Sequence, residues 1–339
     1  MSVRDDLGEK EIRAQDEEDE VSTSADGEYA IEVQDVNKYY GPFHALRDLN
    51  FNVRRGEILG FLGPNGAGKT TAMRILTGYM PPSSGTARVA GYDVFKESLA
   101  VRQHIGYLPE TVPLYLDMSV YDYLSFAARL HHVREVDDAV ERAMEMVNIE
   151  DRADTLIGRL SKGYRQRVGI AQAIVHEPDV LILDEPTIGL DPKQIIEVRE
   201  LIRELGREHT ILLSTHILPE VSQTCSRVVI INDGHIVAED TPQRLSSRMR
   251  GAEQIYLQVA HPAPEIPSEL EKIQGVLAVH PQADGGGAYE IETTLNTDRR
   301  SDIATMVVQR GWGLLELRPV GMSLEDVFLQ LTTKEEEEE

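Results

Sequence analysis

The segment GPNGAGKTT has the spacing of a phosphate-binding loop, G-x-x-x-x-G-K-[ST]. Its glycines let the backbone wrap closely enough for N–H groups to point at phosphate oxygens, and the start of the following helix adds positive potential. Lys69 supplies a mobile charge for the β- and γ-phosphates, and the Thr70 hydroxyl is a ligand for Mg²⁺. We therefore predict a nucleoside triphosphate site with magnesium. Its predicted residues are Gly63, Pro64, Asn65, Gly66, Ala67, Gly68, Lys69, Thr70 and Thr71.

Two adjacent acids follow the apolar run VLIL at Asp184 and Glu185. Such a run is typical of a parallel strand buried on both faces, and open α/β sheets bind ligands at the carboxyl ends of their strands. Asp184 is predicted to hold Mg²⁺ through water, which leaves Glu185 to polarise an attacking water as general base. The alternative for Glu185 is a solvated acid at the end of the strand.

His216 ends the next apolar run, ILLSTH, and is predicted to reach the γ-phosphate from there. The type of residue alone predicts nothing, because the chain has ten histidines. The predicted catalytic residues are therefore Glu185 and His216.

A second anion site is indicated by LSKGYRQR, where Ser161 and Gly163 lie at the expected start of a helix. The chain already has a phosphate loop far upstream of this segment. The sequence therefore raises the question of why one protein needs two such sites.

The elements around these residues alternate between strand and helix. YAIEVQDVNKYY and LNFNVRRGEILGFLG predict strands, KTTAMRILTGY predicts the helix after the phosphate loop, and PKQIIEVRELIREL predicts an amphipathic helix. Residues 119–149 predict a helical insert, and Asp233–Gly234 predicts a hairpin turn. Beyond Met249 the pattern indicates a small α+β module that ends in the helix SLEDVFLQLTT.

Nearly half of the net charge of −24 lies at the two ends of the chain. Residues 1–27 contribute −7 and residues 334–339 contribute −4, and such charged runs predict disorder. The acidic balance argues against nucleic acid as a general partner. The single cysteine, Cys225, excludes an intramolecular disulfide, and no stretch has the length of a membrane-spanning helix.

The order of Tyr40, GPNGAGKTT, LSKGYRQR, LILDEP, GLDP and LSTH resembles the nucleotide-binding subunit of ATP-binding-cassette (ABC) transporters over residues 29–248. The resemblance implies an α/β fold, a phosphate-loop NTPase cassette with a mixed sheet and a helical subdomain at about 109–159. It divides the rest of the chain into an acidic arm at 1–28, a small C-terminal α+β domain at 250–333 and an acidic tail at 334–339.

The resemblance also implies roles for residues that spacing alone does not assign. Tyr40 is expected to stack on the adenine of ATP, and Tyr39 is the less favoured candidate. Ser161 and Gly163 are expected to contact the γ-phosphate of ATP held by a second copy, with Asp191 at the same seam. Two Mg²⁺–ATP would then lie between two copies, and ATP would close the dimer. The implied partner is a separate membrane permease, with this subunit on the cytoplasmic face of the membrane.

Three positions depart from the commonest pattern of that family. LSKGYRQR corresponds to the signature motif of that family, and Lys162 and Tyr164 replace a glycine and a glutamine of this signature, as in the branch that serves bacterial exporters. Glu110 takes the place of a glutamine that contacts Mg²⁺, so it is an expected metal ligand together with Thr70 and Asp184. The stretch LPETVPLYLDMSVYDYL suits a permease-docking surface or, alternatively, packing inside the insert.

Two other classes of function are carried as alternatives. A soluble cassette ATPase acting on nucleic acid or ribosomes is opposed by the presence of only one phosphate loop and by the short distance from it to LSKGYRQR. A weakly catalytic nucleotide sensor is opposed by Glu185 and His216, although Glu110 keeps it open.

Overall fold

The computed structural model of the chain describes residues 28–248, 253–282, 286–294 and 298–320. The predicted acidic arm (apart from residue 28), the helix SLEDVFLQLTT and the acidic tail lie outside these residues.

The described chain alternates strands and helices. The strands are β1 (Tyr29–Tyr40), β2 (Phe43–Arg54), β3 (Ile58–Leu62), β4 (Ser84–Val89), β5 (Tyr92–Asp93), β6 (Ile105–Leu108), β7 (Val180–Asp184), β8 (Thr210–Thr215), β9 (Arg227–Asn232), β10 (His235–Asp240), β11 (Glu253–Val259), β12 (Val276–Pro281), β13 (Ala288–Thr293) and β14 (Leu314–Val320). The α-helices are α1 (Lys69–Leu76), α2 (Ser98–His104), α3 (Val120–Leu130), α4 (Val136–Met146), α5 (Lys162–Ile174), α6 (Pro192–Leu205), α7 (Leu218–Thr224), α8 (Pro242–Arg248), α9 (Ile266–Leu270) and α10 (Arg300–Gln309).

A six-stranded mixed sheet positions the predicted site. Its order is β10-β9-β3-β8-β7-β6, in which β10 is antiparallel to β9 and the other pairs are parallel. Strand β8 lies between β3 and β7, so the phosphate loop, His216 and the Asp184–Glu185 pair follow three neighbouring strands at one edge. The α/β fold with a mixed sheet is therefore confirmed.

Strand β7 is buried along its whole length because it separates two hydrophobic clusters. Leu181 and Leu183 pack into the cluster beneath α3, α5 and α6, whereas Val180 and Ile182 pack into the cluster around α1 and the antiparallel sheet β2-β1-β4-β5. Burial of one such side chain contributes about 1.5–3 kcal/mol. The end of this strand, where Asp184 lies, is thus fixed from both sides.

Helices α3 and α4 lie within the predicted helical insert. Both pack against α5, and Ser119 begins α3 as an N-cap that accepts a hydrogen bond from the Asp122 N–H. The stretch before Ser119 is irregular rather than helical. The segment LPETVPLYLDMSVYDYL divides between the docking and the packing alternatives, since Tyr115 and Leu116 are exposed whereas Tyr123 and Leu124 are buried.

The C-terminal segment forms a sheet of its own, β12-β13-β11-β14, entirely antiparallel. With α9 and α10 it follows the order β-α-β-β-α-β, the split βαβ arrangement of ferredoxin-like domains. A separate core that includes Leu257, Ile291 and Trp312 lies under the helices. The predicted strands β11, β13 and β14 are present, and β12 and α9 were not predicted.

Among the described residues, none of the helices has the length and apolar character that crossing a bilayer requires.

Candidate nucleotide-binding site

The loop between β3 and α1 forms one wall of a cavity of about 350 Å³. Gly68 has φ +105°, and a Cβ there would lie 2.8 Å from the Leu46 side chain and 2.9 Å from the Ala45 carbonyl. Only glycine satisfies both conditions, so the tight wrap of the loop follows from the sequence. The cavity is lined by Tyr40, Phe43, Ala45, Pro64, Asn65, Gly66, Gly68, Lys69, Thr70, Thr71, Glu110, Glu185 and Ile188.

Lys69 folds back over the loop that precedes it. Its Nζ donates to the carbonyl oxygens of Gly63 at 2.7 Å and Pro64 at 3.2 Å, and it lies 3.5 Å from Oε1 of Glu185. The side chain is buried. The ammonium therefore has three oxygen neighbours and lies at the wall of the cavity beside the phosphate loop.

Glu185 comes directly after the last residue of β7 and has an unusual backbone conformation. Its φ is +50°, in the left-handed region, which costs a non-glycine residue on the order of 1–3 kcal/mol. Its N–H donates to the Ser214 carbonyl at 2.9 Å, and both carboxylate oxygens lie 2.9 Å from Nδ1 of His216. Because Glu185 is only 5% exposed, it is not the solvated acid of the alternative interpretation.

Asp184 is fully buried, and neither of its carboxylate oxygens has a hydrogen-bond partner within the part of the chain that the structure describes. Burial raises the pKa of Asp184; the nearby Ser214 hydroxyl opposes this, and the carboxylates of Glu185 and Glu110 add to it. A buried carboxylate with no partner is costly, so this position is suited to a bound cation.

The other two expected metal ligands, Thr70 and Glu110, each line two cavities. Thr70 and Glu110 line the 350 Å³ cavity, and together with Asp184 they also line a larger one of about 1190 Å³. Tyr107, which the sequence did not single out, lines the larger cavity beside them. Its pKa is raised to about 12 by burial and by the charges of Asp184 and Glu110.

Tyr40 lines the smaller cavity, whereas Tyr39 is directed elsewhere. The Tyr40 hydroxyl contacts Sδ of Met80 at 3.1 Å, and the ring is partly exposed. Tyr39 stacks on His44, with ring centroids 3.9 Å apart. Phe43 lies across the same cavity and is largely exposed, so it offers a second aromatic surface that spacing did not predict.

Ser161, Gly163 and Asp191 are brought near one another but do not line the phosphate-loop cavity. Ser161 is the N-cap of α5, and Asp191 is the N-cap of α6, where its Oδ1 accepts from the Gln194 N–H at 2.9 Å. A Cβ on Gly163 would lie 2.6 Å from Nε2 of Gln194. Gln194 thus links the two helix starts.

A phosphate loop followed at the same sheet edge by two buried acids defines a phosphate-loop NTPase. A family model described as "ABC transporter" matches residues 46–188. The chain is 33% identical to the bacitracin transport ATP-binding protein BcrA of Bacillus licheniformis, over 89% of this chain and 96% of that protein. It is 34% identical to the Nod factor export ATP-binding protein I of Rhizobium meliloti (strain 1021), over 90% of this chain and 89% of that protein.

A solved structure described as the ATP-binding subunit of an ABC transporter superposes with a TM-score of 0.60 at 33% identity, covering 66% of this chain and 95% of that one. The chain belongs to the family of ABC transporter ATP-binding proteins. It is accordingly a nucleotide-binding ATPase of the ABC type. Subunits of this family pair with a membrane permease and dimerise.

Proposed function

We propose that this chain binds ATP with Mg²⁺ at the phosphate loop and hydrolyses it, with Glu185 as general base and His216 beside the γ-phosphate. The observation that carries the proposal is the buried carboxylate of Glu185, held between Lys69 and His216 on the wall of the cavity. A general base must be fixed within reach of a water at the reacting phosphate. His216 and the hydrogen bond from the Glu185 N–H to the Ser214 carbonyl hold it there.

Lys69 changes partners when ATP enters. Its ammonium contacts two carbonyl oxygens and lies near Glu185. Phosphate oxygens carry negative charge and carbonyl oxygens do not, so the ammonium is attracted more strongly to phosphate than to the two carbonyls. The ammonium therefore moves to the β- and γ-phosphates, and Glu185 is released to orient water.

Thr70, Asp184 and Glu110 would hold Mg²⁺ beside the phosphates of ATP. The unpartnered oxygens of Asp184 support this assignment, because hydroxyl, carboxylate and phosphate oxygens are the ligands that Mg²⁺ prefers. When bound, the ion neutralises charge on the transferring phosphoryl group. Glu110 brings one more negative charge to the site than glutamine does, so we expect a stronger dependence on the metal.

A second copy of the chain completes the site. Ser161 and Gly163 offer a helix N-terminus suited to phosphate, but they do not line the cavity that holds Lys69 and Glu185. Two copies arranged head to tail bring each signature segment onto the ATP of the other. ATP then closes the dimer because ADP lacks the γ-phosphate that bridges both chains.

The larger cavity is the permease-docking site. Its rim carries exposed apolar side chains of Tyr79, Leu99 and Leu130, and exposed apolar patches of this kind mark interaction sites. The relatives named above serve bacitracin transport and Nod factor export. We infer that this chain powers an exporter from the cytoplasmic face of the membrane, through a permease on a separate chain.

The test is capture of that permease on the full chain. Tagged Glu185→Gln protein, extracted from its own cell membranes with ATP present, is expected to retain a multi-spanning membrane protein. Leu99→Arg in the same background should lose it, whereas Val308→Arg, at an equally exposed apolar residue of α10, should not. Retention of the membrane protein by Leu99→Arg would contradict the docking site. Capture of ribosomes or nucleic acid in its place would contradict the transport function.

A further inference from the structure

Glu220 is a buried acid with no part in the site described so far. It lies in α7, shortly after His216, and is 1% exposed. It does not line the 350 Å³ cavity. Glutamate is almost never fully buried unless it is paired, so its contacts indicate what it does.

Two threonine hydroxyls donate to the two carboxylate oxygens of Glu220. Thr187 donates to Oε1, and Thr215 donates to Oε2 at 2.8 Å. The Thr215 hydroxyl also accepts from the Ile217 N–H at 3.0 Å. Both threonines are buried, and while burial raises the pKa of Glu220, these two hydroxyls oppose that rise. The carboxylate is thus a bridge between two threonines.

The bridged threonines belong to the two segments that carry the proposed catalytic pair. Thr187 comes two residues after Glu185, in the loop that continues to Asp191. The Thr187 carbonyl accepts from the Leu190 N–H at 3.1 Å within that loop. Thr215 comes directly before His216 at the end of β8. Glu220 therefore joins the loop after β7 to the end of β8 from behind the ATP cavity.

We infer that Glu220 is a positioning residue for ATP hydrolysis, which fixes Glu185 against His216 by tying Thr187 to Thr215. The inference rests on the proposed roles of Glu185 and His216. Glu220 does not line the 350 Å³ cavity and acts only through the two threonines. Because the bridged loop ends at Asp191, the same bridge connects the proposed dimer seam to the general base.

Positioning predicts a loss of turnover without a loss of ATP binding. Thr187→Val removes one hydroxyl at nearly constant shape, and Glu220→Gln keeps the volume but replaces one acceptor with a donor. For each variant we expect kcat per ATP-binding site to fall about tenfold to hundredfold, with the ATP dissociation constant within about twofold of the original. Thr187→Ser, which restores the hydroxyl, should return kcat to within about threefold.

The double variant Thr187→Val/Glu220→Gln should be no slower than the slower single variant, because both changes break one bridge. Thr224→Val is the matched control, since Thr224 is in the same helix and its buried hydroxyl has no partner among the described residues. Its kcat should be unchanged. Rates are divided by the concentration of ATP-binding sites found by titration, so a slower turnover is distinguished from a smaller amount of folded protein.

Wild-type kcat in folded Thr187→Val and Glu220→Gln would overturn the inference, and so would losses that multiply in the double variant. Glu185→Gln measured in parallel separates this result from failure of the proposed function. If Glu185→Gln is inactive while the Thr187 and Glu220 variants turn over normally, only the bridge is refuted. If Glu185→Gln turns over normally, the catalytic assignment itself is refuted.

Discussion

Replacing Glu185 with glutamine should nearly stop hydrolysis, so the ATP-bound state should persist for longer. A general base contributes about 10²–10⁴ in rate, or roughly 3–5 kcal/mol at 1.36 kcal/mol per tenfold. Glutamine keeps the shape of Glu185 but cannot take a proton from water. Phosphate release measured at saturating ATP should fall by that factor, and release at the wild-type rate would refute the assignment.

Without added nucleotide, the same substitution should lower the free energy of unfolding. It leaves the buried Lys69 without its anionic neighbour at 3.5 Å, and breaking a buried ion pair costs about 3–5 kcal/mol. Lys69 keeps the Gly63 and Pro64 carbonyls, so the expected loss is smaller, about 1.5–3 kcal/mol, the range of a hydrogen bond to a charged group.

Thermal unfolding checks this second effect. The midpoint without nucleotide should fall by several degrees, at about 2–4 °C per kcal/mol, and ATP should restore it because phosphates replace the lost charge. Glu204→Gln, an exposed position on α6, is the control for a change of one charge. A midpoint that falls equally with and without ATP would contradict the exchange of partners by Lys69.

Three further predictions concern residues of the two cavities. Lys69→Ala should weaken ATP binding about tenfold to hundredfold by equilibrium titration, and unchanged affinity would contradict the phosphate assignment. Tyr40→Ala should weaken it about tenfold by loss of stacking, whereas Tyr39→Ala should leave it unchanged because Tyr39 stacks on His44. Burial, with some repulsion from His131, lowers the pKa of His176 to about 4, below its value in the unfolded chain. The buried neutral imidazole therefore contributes stability above the unfolded pKa. That contribution is lost as the pH falls from about 6.5 to 4. His176→Gln should reduce that loss in unfolding midpoints measured against pH, and identical pH profiles would contradict it.

The phosphate loop, β7 and the β9–β10 hairpin were predictable because each is encoded locally. Gly68 and the apolar residues before Asp184 leave few alternatives for the backbone, and Asp233–Gly234 adopts the expected positive φ values. The order of the strands is not local. That β8 lies between β3 and β7, and so brings His216 against Glu185, depends on contacts between residues far apart in the chain.

Other parts of the site had no signal in the sequence. Phe43 and Ile188 line the 350 Å³ cavity, but in the sequence they cannot be told from ordinary apolar residues. Glu220 stands in a short segment whose pattern does not distinguish a buried acid from an exposed one, and only the fold places it between Thr187 and Thr215. The sequence does not predict the short strands β5 and β6, because two and four residues are too few to show the alternation of apolar and polar side chains that marks a strand.

The central claim, that each active site is built from two copies of the chain, is tested most directly by mixing two inactive variants. Lys69→Ala destroys the phosphate loop, and Ser161→Arg destroys the signature. A mixed dimer places both defects in one site and leaves the other site intact. Equal amounts should therefore recover about a quarter of wild-type ATPase activity. A mixture as inactive as its components, or full activity in Ser161→Arg alone, would contradict the account.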